Sequence, residues 1–223
     1  MNKRIIALLA ATATEVIYGI NHTIAKELMP QVIEPYGFIL LRVGGAAILF
    51  WTFGLFTKME RIDKRDWQRI FGCASFGMVL NMLLFFKGLS LSTPINSSVS
   101  MTVAPVLILL LTAVILHERI TLLKTVGIVL GLSGALALIL FQEKTQVNAP
   151  NIPLGNFLFV LNASSYAVYF ILVKPLLAKY KAFTLLKLFF LIAFIINIPI
   201  GYSELSQVAW TSLELSEIGG LLF

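Results

Sequence analysis

Cysteine is almost absent from this chain. The single thiol, Cys73, excludes an internal disulfide and any thiolate cluster around a metal. Histidine is nearly as scarce, and His22 and His117 stand too far apart in sequence to suggest a transition-metal site. Charge is thin as well: 13% of residues carry it, against about 25% in an ordinary soluble domain, while 58% are hydrophobic and the mean hydropathy is +0.91. There is no Walker A loop, so no ATP hydrolysis of its own is indicated. "GLSG" at Gly131 to Gly134 falls short of G-x-S-x-G, and His117-Glu118 lacks the second histidine of H-E-x-x-H. Neither a metal nor a cofactor is expected.

What the chain has instead is long apolar runs. They cover approximately residues 5–28, 36–56, 70–91, 95–116, 122–141, 154–173 and 183–202, each close to the 20 residues that a helix needs to cross about 30 Å of hydrocarbon. An eighth begins near Leu213 and is still running at Phe223, which reads as a fragment of a longer protein. The expected fold is an all-α integral membrane protein, a polytopic helix bundle with seven full spans and the start of another. "MNKR" followed by "IIALLAATAT" has the outline of a cleaved signal, but the run turns apolar again at "VIYGI", which favours a retained span.

The net charge of +6 does not point to nucleic acid. Lys58, Arg61, Lys64, Arg65 and Arg69 alternate with Glu60, Asp63 and Asp66, as in a solvated loop. Cations also collect at Lys3 and Arg4, at Arg119 and Lys124, and at Lys179, Lys181 and the flanking Lys187, whereas the intervening loops have almost none. The positive-inside rule then predicts a cytoplasmic N-terminus in a cell membrane.

"YGINHTIAK" at Tyr18 to Lys26 can be laid over "YAVYFILVK" at Tyr166 to Lys174, with Tyr and Lys eight apart in both. Five spans separate the copies, and an odd number inverts the second, which is the plan of many secondary transporters. "PYGFILLR" at Pro35 to Arg42, the Ser/Thr-rich helix from Gly88 to Thr121 with Pro105 before "HER", and "VGIVLGLSGALALIL" at Val126 to Leu140 complete the pattern. It resembles the EamA family of the drug/metabolite transporter superfamily, although Tyr18 stands where that family often has Trp. The resemblance implies two inverted five-helix repeats, ten spans in all, with both termini cytoplasmic. Residues 5–141 would form the first repeat, 142–152 an external linker and 153–223 an incomplete second repeat. It also implies export of a small polar metabolite, an amino acid or related compound, by alternating access.

Polar groups inside the spans are the candidates for the path, because charge in hydrocarbon is costly and turns inward. At 100° per residue, Glu15, Gly19, His22 and Lys26 share a stripe, with Tyr18 adjoining and Asn21 at its edge. Glu15, near mid-membrane, is the expected proton carrier; Lys26, close to the exit at Pro30, reads as an outer anchor. Arg42 and Lys87 place further cations in the outer half, where they either snorkel or hold a carboxylate. Asn81, Asn162, Tyr166 and Tyr169 suit a polar cavity. Lys174, beside Pro175, suits a cytoplasmic anchor, and Glu118-Arg119 a helix cap or gating pair. Gly127 and Gly131 offer a close-packing face, within the bundle or in a homodimer. The rival reading is a lipid-modifying enzyme using Glu15, His22 and His117; another is an inactive fragment.

Overall fold

The computed structural model describes residues 3–57, 60–99, 106, 109–110, 113, 125–127, 129–130, 133 and 149–222, and of Lys3, Arg4, Ile6, Ala7, Ala11, Glu15 and Leu222 the backbone alone. Every regular element among them is helical. Helix α1 covers Lys3–Leu28 and α2 covers Pro35–Gly54. After a 3-10 turn at Lys64–Asp66, one continuous rod is built from α3 (Trp67–Ala74), a π-helical segment (Ser75–Leu80) and α4 (Asn81–Leu91). Residues 94–99 are helical. Helices α5 (Ile152–Leu177), α6 (Ala182–Ser206) and α7 (Leu215–Leu222) follow.

Four of these stretches are long and apolar enough to cross a membrane: α2, the rod from Lys64 to Leu91, α5 and α6. They match four of the seven apolar runs to within a few residues. The 26 residues of α1 also form one uninterrupted helix, polar stripe included. The runs at 95–116 and 122–141 lie mostly outside the described residues, as do Pro105, His117, Glu118 and Arg119. Among the described residues, nothing lies within 4 Å of where a Cβ on Gly127 would stand, and Gly131 lies outside the described residues.

Small residues let the helices approach closely, as expected where lipid supplies no hydrophobic drive between them. Helices α2 and α6 pack antiparallel along their whole length: Gly37 meets the backbone of Glu204 and Leu205, Gly44 meets Phe194, and Gly54 meets Lys187. Helices α4 and α5 are antiparallel in the same way, with Gly88 against Gly155. Around these contacts lie two apolar clusters. One, around Phe38, Phe85, Phe86, Leu89 and Phe159, occupies the half of the bundle that holds the end of α1. The other, around Ile70, Cys73, Leu176, Leu185 and Phe189, occupies the opposite half.

That opposite end is latched. Asp66 accepts hydrogen bonds from Lys179 Nζ and Tyr180 Oη, both at 2.9 Å, and Tyr180 Oη accepts from Asp63 N at 3.1 Å. The Asp66 carboxylate pushes the Lys179 ammonium above its ordinary value. Glu60 accepts from Lys181 N at 2.9 Å, and this bond, with one from Thr184, holds its carboxyl below the usual range. Thus the loop before α3 is tied to the turn between α5 and α6. Lys187, which the charge count places with that turn, instead lies in the second turn of α6, buried, with its ammonium 3.9 Å from the Trp51 ring centroid. A cation over an indole face needs no interface to reach.

Candidate functional site

The end of α1 runs parallel to α4, and the polar stripe is buried there. His22 is 3% exposed, whereas Tyr18 is 43% exposed and Gly19 meets nothing within 4 Å among the described residues. Among the described residues, the stripe that the sequence turns inward is therefore enclosed at its C-terminal end. Lys26 reaches across to α4, donating to the carbonyl oxygens of Leu89 at 2.8 Å and Ser90 at 3.0 Å. These are among the orphan carbonyls of a helix C-terminus, where a cation is also favoured by the dipole. The Lys26 ammonium is therefore held by protein carbonyls.

Arg42 stands two turns into α2. With its amide oxygen turned toward the guanidinium, the orientation that satisfies both groups, Asn21 accepts from Arg42 Nη1 at 2.7 Å and Nη2 at 3.1 Å. The guanidinium carbon lies 5.3 Å from the Phe38 centroid and 5.8 Å from the Phe86 centroid, within cation–π range of both rings. Phe86 in turn meets Phe85 edge-on at 5.2 Å, and Phe85 packs on His22 at 4.8 Å. Asn21, His22 and Arg42 thus share one aromatic-walled corner between α1, α2 and α4. Among the described residues, no carboxylate lies within ion-pair distance of Arg42. Lys87 points elsewhere, its ammonium 5.6 Å from the Tyr36 ring.

Beside this corner the turn after α4 carries a buried polar network. Ser92 Oγ donates to Asn156 Oδ1 at 2.9 Å, Asn96 Nδ2 donates to Ser92 Oγ at 3.1 Å, and Ser97 Oγ meets His22 Nδ1 at 3.3 Å. The hydroxyl-rich sequence thus serves here to join α1, α5 and the helical residues 94–99. Asn96, Phe38 and Phe86 are absent from the sequence's candidates, whereas Ser97 belongs to its hydroxyl-rich, proline-flanked helix, which the sequence reads first as packing. Asn96 follows the same proline within an apolar run, which was a usable signal; phenylalanines in a chain this apolar carry none.

The remaining candidates gather on the π-helical segment. A π turn bonds i to i+5, so its carbonyls are poorly served within the helix. Helix α5 supplies partners at one-face spacing: Ser165 Oγ donates to Phe76 O at 2.6 Å, and Asn162 Nδ2 donates to Asn81 O at 2.7 Å. Tyr169 lies flat against Gly77, where an added Cβ would overlap its ring. Asn81, Asn162 and Tyr169 therefore form a helix–helix joint. Tyr166 is exposed, 5.7 Å from the Tyr169 ring, and Lys174 is exposed near the end of α5. The Glu15 side chain lies outside the described residues. Of the groups proposed for lipid chemistry, the His22 side chain alone is described.

Long apolar helices joined at glycines, with polar groups turned to protein partners, define a multi-pass α-helical membrane protein. Residues 5–140 match the EamA-like transporter family, and the chain belongs to it. It is similar to an uncharacterized transporter of Archaeoglobus fulgidus, 30% identical over 179 residues, or 80% of this chain and 60% of that protein. It is also similar to the uncharacterized transporter YetK of Bacillus subtilis, 23% identical over 209 residues, or 93% of this chain and 63% of that one. The chain thus spans about three fifths of the length of these relatives. No solved structure matches it significantly.

Proposed function

We propose that this chain works in a secondary transporter, rather than an enzyme, of the cytoplasmic membrane. Its N-terminus lies in the cytoplasm, and it exports a small polar metabolite such as an amino acid by alternating access between inverted repeats. The observation that supports this reading is Arg42: a guanidinium two turns inside a span, with no acidic partner among the described residues and one fork occupied by the Asn21 amide. A cation so placed is costly unless an anion visits it, and its planar donors suit a substrate carboxylate. Loss of one charged hydrogen-bonding partner is worth about 2 to 3 kcal/mol, so Arg42→Gln is expected to weaken carboxylate binding roughly 30- to 150-fold.

Glu15 is the driving-proton carrier in this reading. Counterflow of a labelled metabolite in sealed vesicles holding the whole protein tests transport. Turnover of lipid by purified protein without a vesicle would favour the enzyme instead. If Glu15→Gln left pH-dependent flux unchanged, that acid would not carry the proton.

A further inference from the structure

Ser97 favours one tautomer of His22. The serine hydroxyl has one hydrogen, and its shorter contact is with the carbonyl oxygen of Pro94 at 2.8 Å. With the hydrogen there, Ser97 Oγ is left as an acceptor toward the imidazole, 3.3 Å away. In that arrangement Nδ1 carries the ring proton and Nε2 presents a bare lone pair. Nothing among the described residues donates to Nε2, although the whole side chain is 3% exposed. Tyr18 stands edge-on to the ring at 4.8 Å and Phe85 lies against it at 4.8 Å, so water has little access.

A buried, pre-aimed base with no donor among the described residues is unexplained by packing. Among the described residues, the charged and titratable groups around it are few. On α1 they are the Tyr18 phenol and, one turn further, Lys26, whose ammonium is taken by the carbonyls of α4. From α2 comes Arg42, whose charge reaches the ring. Helix α4 offers Phe85, and residues 94–99 offer Ser97, neither of which is charged. Arg42 is thus the charge that an imidazolium would face. Two cations in a site screened from water repel strongly, and an anion on one of them relieves the other.

We infer that His22 is the proton-linked partner of the Arg42 site: Nε2 takes a proton from water when a carboxylate settles on Arg42 and returns it when the carboxylate leaves. The inference rests on the carboxylate reading of Arg42 and adds to it a stoichiometry of one proton per anion. The charge balance is simple. Empty, the corner holds one guanidinium and a neutral imidazole; loaded, it holds a guanidinium, a carboxylate and an imidazolium. Its net charge is +1 in both states. Empty and loaded carriers then reorient with the same charge in the site, whatever Glu15 does. Linkage makes the effect reciprocal, so a proton on His22 tightens anion binding by the same factor that the anion favours the proton.

Histidine NMR tests this directly, because the chain has two histidines and His117→Gln leaves His22 as the only ring signal. The chain would be labelled at histidine and held in lipid nanodiscs at about pH 6, near the ordinary histidine midpoint. Without a carboxylate, the neutral Nδ1–H form is expected. Saturating acetate, the probe anion, should raise the ratio of imidazolium to neutral ring at least roughly tenfold, a typical coupling factor. Arg42→Gln should raise it without acetate, and Arg42→Lys, which keeps the charge, should leave the neutral form in place. A neutral Nε2–H ring, or a ratio indifferent to Arg42→Gln, overturns the inference. If acetate does nothing while Arg42→Gln still acts, the charge link stands and the carboxylate reading falls.

Discussion

Glu204 offers the sharpest test of how the half of the bundle around the start of α2 is held together. A helix leaves its first four N–H groups unpaired, but α2 begins with Pro35, which has none, and Phe38 N bonds to Glu34 O at 3.0 Å. Two donors are left, Tyr36 N and Gly37 N, and both go to Glu204 Oε2 from the far end of α6, at 2.6 Å and 2.8 Å. One carboxylate therefore completes the N-terminus of α2 and pins α6 to it. A hydrogen bond to a charged acceptor contributes about 1.5 to 3 kcal/mol, and two donors sharing one half-buried oxygen put the pair near a single such bond. We expect Glu204→Ala to cost about 2 to 3 kcal/mol and Glu204→Gln, which keeps an acceptor but loses the charge, about 1 kcal/mol. At about 2 to 4 °C per kcal/mol for a chain of this size, alanine lowers the melting point by roughly 5 to 10 °C and glutamine by roughly 2 to 4 °C. The buried single thiol Cys73 supplies the assay, since a maleimide dye reaches it as the bundle opens. An alanine variant that melts within about a degree of the parent would show that the bonds add nothing net.

Gly201→Ala should destabilise by about 2 to 3 kcal/mol, because its Cβ would overlap the Tyr36 carbonyl oxygen and lie 2.9 Å from Leu40 Cβ, and backbone does not yield. Gly45→Ala, with open space around it, should melt no lower than the parent. Asn162→Leu strands the Asn81 carbonyl and should cost about 1 to 2 kcal/mol, with faster amide exchange confined to residues near the π-helical segment. The Glu60 carboxyl is held below its ordinary value of 4.5, so its contribution to the latch is present above that pH and is lost as pH falls through the lower folded value. Lys179, held above 10.5, contributes fully below that pH and loses its share as pH rises through the higher folded value. Melting curves against pH should decline at both ends, and Glu60→Gln should remove part of the acid-side decline.

Span positions were legible because lipid imposes one length and one polarity on every crossing; α2, α5 and α6 begin and end within a few residues of their apolar runs. The helical face of α1 was legible for the same reason, but its depth of burial was not. Periodicity says which residues share a side, and only the neighbours of α1 decide that the side is enclosed at His22. Lys26 illustrates the limit. Its place near a span end suits an anchor reaching headgroups, yet the nearest acceptors are two carbonyls of α4, 63 and 64 residues away in sequence. Asn162 and Tyr169 looked like cavity residues because the sequence has no mark for the π turn, and that turn is what they serve.

The same π turn changes the phase of the rod that contains it. One extra residue in a turn rotates everything after it by about 100° relative to everything before, at 3.6 residues per turn. Ile70, Cys73 and Ala74 pack in one cluster and Val79, Phe85 and Phe86 in the other, at the two ends of a single crossing joined by that turn. A deletion of one residue between Ser75 and Leu80 would restore an ordinary helix and misdirect one half or the other, turning Phe85 away from His22 or Cys73 toward lipid.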